Sequence, residues 1–198
     1  MQELLPNLFH WYAIHPNHGM QVSCHLAAGT GTVFDPLLPD EGIEWFDEHR
    51  PRRVVLSTRH HLRHSEQIAE RYGCPILAHR DGLHAFEDGP SVEGFGFGDQ
   101  LAADVTALTM DAISPDDTVL RIEVEEGALL FADSVINHGG LGFVPDRLIG
   151  DEPERVKRTI LERTSLLLSE DFDHLLFAHG DPVIGGGKQA LRAFAQRP

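Results

Sequence analysis

Cysteine is nearly absent. Cys24 and Cys74 are the two in 198 residues, and neither sits in a C-x-x-C pair. That leaves no support for a disulfide-built scaffold, a zinc finger or a dithiol redox motif. Free, buried thiols in a reducing compartment are the expectation, with a Cys24–Cys74 disulfide as the minor alternative, so a cytoplasmic location is expected. Long apolar runs are missing as well. The start, Met1-Gln2-Glu3-Leu4-Leu5-Pro6, has no basic segment followed by an apolar stretch, so neither a signal peptide nor a membrane span is expected. Basic residues are in the minority: 16 Lys and Arg stand against 31 Asp and Glu, for a net charge of -15. Nucleic-acid backbones and anionic membranes are poor partners for such a chain. No internal repeat and no low-complexity linker divides it.

What is present suits a folded α/β protein. Hydrophobic residues make up 41%, enough for a core, and the length suits one domain over residues 1–198. Residues 7–14, 22–28 and 32–34 read as strands. Asp40 is expected to cap a helix reaching about Arg50, with Ile43 and Phe46 inward. Val54-Val55-Leu56 is short, continuous and β-branched, the pattern of a strand covered on both faces. The spacing of Ile68 and Tyr72 predicts a helix over 65–72 stopped by Gly73, followed by a buried strand at 75–78. Residues 86–98 are glycine-rich and acidic, a loop or an edge segment. Strands are expected over 101–110, 118–124 and 128–132, the last two joined as a hairpin through Glu126-Gly127. Residues 137–150 read as a loop. Asp151 and Glu154 predict a capping box for the longest helix. A last buried strand at 175–178 precedes a final helix containing Leu191 and Phe194. This order implies α/β, with paired sheets inside and helices outside.

The densest chemistry lies at Ser57-Thr58-Arg59-His60-His61-Leu62-Arg63-His64, which holds three of the 13 histidines. A strand leads in and a helix leads out. A helix start offers free N–H groups and partial positive charge, and neutral imidazole is the commonest metal ligand. The segment resembles the metallo-β-lactamase superfamily signature T-H-x-H-x-D-H. Aligned on Thr58, His61 and His64 fall on its second and last histidines. Arg59 and Arg63 fall on its first histidine and its aspartate, and arginine cannot ligate. Two further stretches are similar to the same family. Leu129-Leu130-Phe131-Ala132-Asp133-Ser134 resembles the segment bearing its metal-bridging aspartate. Phe177-Ala178-His179-Gly180-Asp181-Pro182 resembles its late histidine segment. The family's remaining histidine has no counterpart, since none occurs between Leu101 and Asn137, and Asp111 is the nearest replacement.

The resemblance implies an αββα sandwich of two mixed sheets flanked by helices, and a metallo-hydrolase. It sorts the metal ligands into His61 with Asp133 and Asp111 on one side, and His64, Asp133 and His179 on the other. The second set is enough for one metal with open positions. The implied cofactor is at most one divalent ion, zinc, manganese or iron, or none. The implied chemistry is hydrolysis of an ester, thioester, amide or phosphodiester by an activated water, with His61 and Asp133 as catalytic residues. Arg59 and Arg63 oppose a metal: a positive charge about 4 Å from a divalent ion is repelled by several kcal/mol at an effective dielectric of about 20. The alternative is a metal-free binding or regulatory protein. There Arg59 and Arg63 replace the metal charge, hold Asp133 or Asp111 in forked ion pairs, and bind a small anionic ligand. A hydrogen-bond network without chemistry also fits these residues. His60 is expected to point away from His61. His10, His15, His18 and His25 border the cleft mouth in ordinary polar roles, and the loop residue His138 is within reach of the site. Gly185-Gly186-Gly187 suits either a phosphate cradle or a close backbone approach.

Overall fold

The computed structural model describes residues 1–197. The first sheet takes its strands in chain order: β1 (Gln2–Leu5), β2 (Leu8–Ile14), β3 (Gln21–Ala27), β4 (Thr32–Phe34), β5 (Arg53–Val55), β6 (Ile76–His79) and β7 (Val92–Phe95). Neighbours from β1 to β4 are antiparallel, and from β4 to β7 they are parallel. Parallel neighbours need a crossover, and helix α1 (Ser65–Tyr72) supplies the one between β5 and β6. The chain then enters the second sheet through β8 (Gln100–Ala102), β9 (Val105–Thr109), β10 (Thr118–Ile122) and β11 (Ala128–Phe131). A two-stranded ribbon, β12 (Ile136–Asn137) with β13 (Leu141–Gly142), precedes helix α2 (Pro153–Leu167). Strand β14 (His174–Phe177) completes the second sheet beside β11, in the order β14-β11-β10-β9-β8, and helix α3 (Gly187–Ala195) follows.

Two mixed sheets lie face to face with helices outside. Strand alternation produces this layering, because successive side chains point to opposite faces. Val55, Leu120, Leu130 and Leu176 meet between the sheets. Val54 and Leu56 turn instead toward Ile68 and Tyr72 of α1. Leu129, Phe131, Leu175 and Phe177 turn toward Ile160 of α2 and Leu191 and Phe194 of α3. The continuous apolar runs at 54–56, 128–131 and 175–177 are thus buried on both faces.

Four expectations are corrected. The helix expected from Asp40 is a 3-10 turn, Ile43–Asp47, entered through Gly42 at φ 84 with no side-chain cap. The left-handed glycine re-aims the chain before a longer helix can form. Residues 101–110 are two strands, β8 and β9, because the chain reverses at Ala103-Asp104. Helix α2 begins at Pro153 with no side-chain cap bond, so the expected capping box is not made. A proline at the first helical position needs no N–H partner there. Finally, the 137–150 loop contains the β12–β13 ribbon and a 3-10 turn, Asp146–Leu148.

Candidate metal centre and its cavity

Asp133 and His179 are placed by one device. Strands β11 and β14 are parallel neighbours with Phe131 opposite Phe177, and each functional residue follows two positions later. His61 arrives from the other sheet, on a 3-10 turn (Arg59–His61) just past β5. The three side chains converge. His179 Nε2 lies 3.1 Å from Asp133 Oδ1, and His61 Nε2 lies 3.4 Å from the same oxygen. One donor atom from each of the three falls within 4.8 Å of the others.

Behind His61 stands Asp35, just past β4. Its Oδ2 is 3.1 Å from His61 Nδ1, and its carboxylate also accepts from the Ser57 amide at 2.8 Å and from the Ser57 hydroxyl. Asp35 therefore fixes the imidazole so that Nε2 faces Asp133, the arrangement that supports a metal-ligating histidine. Burial works against a charged His61, as does Arg63, but Asp35 and Asp133 outweigh both and hold its pKa up at about 9. Burial likewise opposes the Asp133 carboxylate, yet His61 and His179 hold it well below the usual range. Without an ion, the floor of the site is an imidazolium between two carboxylates.

The other sequence candidates lie elsewhere. His64 is outside the cluster, at the start of α1, and its Nδ1 accepts from the Leu38 amide at 3.0 Å. The three convergent donors thus combine one histidine from each of the two expected ligand sets. Arg59 turns to buried Asp116, which accepts from its guanidinium and, at 2.6 Å, from its amide. Asp111 does form a forked pair, but with Arg163 of α2, at 2.9 Å on both arms. Arg63 adopts φ 44 and donates Nη1 to the Asp35 carbonyl at 2.6 Å, so neither motif arginine pairs with Asp133 or Asp111. Cys24 and Cys74 are buried free thiols, not joined in a disulfide. The amides of Gly185, Gly186 and Gly187 are taken by His174 Nδ1, Asp173 Oδ2 and the Asp173 carbonyl, which leaves no phosphate cradle there.

A cavity of about 480 Å³ opens over the cluster. Its lining includes His61, Asp133, His179 and Arg63, with His15, His18, His60 and His138 around them. His15 and His18 are stacked with ring centroids 3.8 Å apart. His60 borders the cavity beside His61, contrary to expectation, because the segment is a 3-10 turn rather than an extended strand. Asp35 was the functional residue missed. Its signal was present: an acidic residue closing a buried strand, the same reasoning that singled out Asp133.

The supports of this site can be tested through stability. Gly180, at φ +99, packs on the Asn137 backbone, and any Cβ there would collide with the Asn137 carbonyl. Asn137 also donates its amide to the His179 carbonyl at 3.1 Å. Gly180→Ala is expected to cost about 3 kcal/mol or more, lowering Tm by about 6–12 °C in calorimetry. Asp116 is the second support, since it ties Thr58 and Arg59 into place. Asp116→Ala strands a partly buried guanidinium and is expected to cost about 2–4 kcal/mol in urea unfolding.

No protein-family profile and no curated protein matches the sequence. Solved structures do match. A metallo-beta-lactamase family protein from Thermus thermophilus is 16% identical, with 98% of this chain and 79% of that chain covered at a TM-score of 0.65. A metallo-beta-lactamase from Hirschia baltica is 15% identical, with 98% and 94% covered at 0.68. A flavoprotein from Thermotoga maritima is 13% identical at 0.63, with 94% of this chain aligned to 57% of that one. Together with the paired mixed sheets and their outer helices, these likenesses show that the chain has the metallo-β-lactamase fold.

Proposed function

We propose that the protein is a hydrolase that uses one divalent metal ion, zinc, manganese or iron, held by His61, Asp133 and His179. The observation that carries this reading is the convergence of the three donors at the floor of the cavity, with the far nitrogen of His61 held by Asp35. Two imidazoles and one carboxylate suit these metals and leave coordination positions free. When bound there, such an ion would polarise a carbonyl or phosphoryl oxygen and acidify a water for attack on an ester, thioester or phosphodiester. The chain's own residues do the rest. Asp35 and Ser57 orient His61, with Asp35 accepting from its Nδ1–H so that Nε2 is left to ligate, and Arg63 adds fixed positive charge beside the floor, suited to a developing oxyanion. Ligand softness alone does not choose among the three metals.

Equilibrium dialysis tests this reading. Protein prepared without chelator is expected to bind one equivalent of zinc, manganese or iron, and His179→Ala to lose it. Turnover of p-nitrophenyl esters is expected to follow the metal. Equal binding by wild type and variant overturns the assignment. A second reading is a metal-free binding protein, favoured by one observation: both ring nitrogens of His61 already lie within ion-pair range of a carboxylate, Nδ1 of Asp35 and Nε2 of Asp133. It predicts no metal and thermal stabilisation by small anions instead.

A further inference from the structure

We propose that the cavity over His61, Asp133 and His179 takes a carboxylic ester or thioester with an apolar body. The proposal rests on the hydrolase reading for its reaction, but it rests on the walls for its substrate. Above the polar floor the lining is apolar: Met20 and Val22 on one side, Ile113, Ile136, Val144 and Leu148 on the other. The first pair comes from the β2–β3 hairpin of the seven-stranded sheet. The second group comes from the β9–β10 connection, the β12–β13 ribbon and the segment after it. Both sheets thus present apolar side chains to the same space.

Met20 and Leu148 are left 44% and 53% exposed, although each has apolar surface that a guest would cover. Single exposed apolar residues are common, but two on the lips of one cavity, continuous with apolar walls, mark a surface built for an apolar guest. The lining also holds two guanidinium groups. Arg59 is paired with Asp116, whereas Arg63 donates to the neutral Asp35 carbonyl and keeps its charge. Among the described residues lining the cavity, Arg63 and Arg147 are both guanidinium groups with no carboxylate in ion-pair range, and Arg147 adjoins Leu148 on the rim. Burial and the neighbouring His18 ring favour the neutral form of His15. A rim guanidinium beside an apolar wall fits a carboxylate on an apolar body.

Calorimetric titration with butanoate, hexanoate, octanoate and dimethyl phosphate tests the proposal, in metal-free and in zinc-supplemented protein. Affinity is expected to rise about two- to fourfold per added methylene, the upper figure being the equivalent of about 0.8 kcal/mol per CH₂. Dimethyl phosphate is expected to bind more weakly than octanoate. Met20→Asp and Leu148→Asp alter exposed side chains, so their melting is expected to match wild type, while the chain-length gradient flattens. Arg147→Gln is expected to weaken every carboxylate by a similar factor. A flat chain-length series, no carboxylate binding, or preference for the phosphate overturns the proposal. Failure of the metal reading is seen separately, as the absence of zinc uptake in dialysis, and leaves the gradient measurable in metal-free protein.

Discussion

Asp133→Ala is expected to lower divalent-metal affinity by roughly 10²–10³-fold at pH 8, with the protein still folded. The magnitude comes from dividing a site's binding energy among its ligands. A four-ligand structural zinc site is worth about 10–16 kcal/mol, so one ligand carries on the order of 3–4 kcal/mol. Asp133 is the one oxygen donor of the cluster and lies within reach of both imidazoles. A proton competes for the same place. His61, with its pKa held up at about 9, is charged at neutral pH and must lose that proton before Nε2 can ligate. Metal affinity of the wild type is therefore expected to rise about tenfold per pH unit up to about pH 9, with one proton released per ion. The sign for the protein's own stability is opposite. The His61 ion pairs contribute fully below pH 6.5, its ordinary pKa, and are lost as pH rises through about 9. Removing Asp133 lowers the His61 pKa, so the pH dependence of any residual binding is expected to end at a lower pH. Dialysis at pH 6, 7, 8 and 9 reads all of this. An unchanged metal affinity in the variant would remove Asp133 from the site.

The largest gain in stability is expected from Asp117→Asn. Asp117 is 2% exposed. Burial drives its pKa up to about 7, against the Ser134 hydroxyl and the Ile113 amide that donate to it, with the negative charges of Asp133 and Asp116 adding to the rise. Its second oxygen, Oδ1, has no partner. The folded state thus holds a proton that the unfolded chain releases near pH 3.8. Stability is undiminished below that pH and falls as pH rises toward 7. Asparagine has the shape of the protonated acid and keeps the acceptor for Ser134, yet carries no charge to desolvate. The difference between variant and wild type is expected to be near zero at pH 4. It should grow by about 1.4 kcal/mol per pH unit and level off above pH 7 at about 4 kcal/mol. Urea unfolding of both proteins from pH 4 to pH 8 measures it. A constant difference across that range would show that Asp117 is ionised throughout.

Much of the fold was legible because its strands are short apolar runs bounded by turn residues. Val54-Val55-Leu56 and Leu175-Leu176-Phe177 can hardly be anything but strands buried on both faces. Asp133 and His179 were legible for the same reason, since each closes such a run. The partners of the arginines were not. Arg59 finds Asp116 across a sequence separation of 57, and Arg163 finds Asp111 across 52. Such choices are made by tertiary contact, about which local pattern is silent. His64 failed for a local reason. The turn that ends in His61 hands the chain directly to α1, so His64 becomes the helix cap and its Nδ1 faces Leu38. Spacing within a motif places ligands only when the backbone keeps the motif's conformation, and two arginines in four positions give no assurance that it does.

The origin of the three donors has a mechanical consequence. Asp133 and His179 ride on adjacent strands locked in register, so they move as one rung, whereas His61 belongs to the opposite layer. The soft coordinate of the trio is therefore the sliding of one layer over the other. An ion seated there would act as a rivet through the sandwich, resisting that slippage. Any mutation that loosens the interlayer packing, even far from the cavity, would first be felt as a poorer grip on the ion.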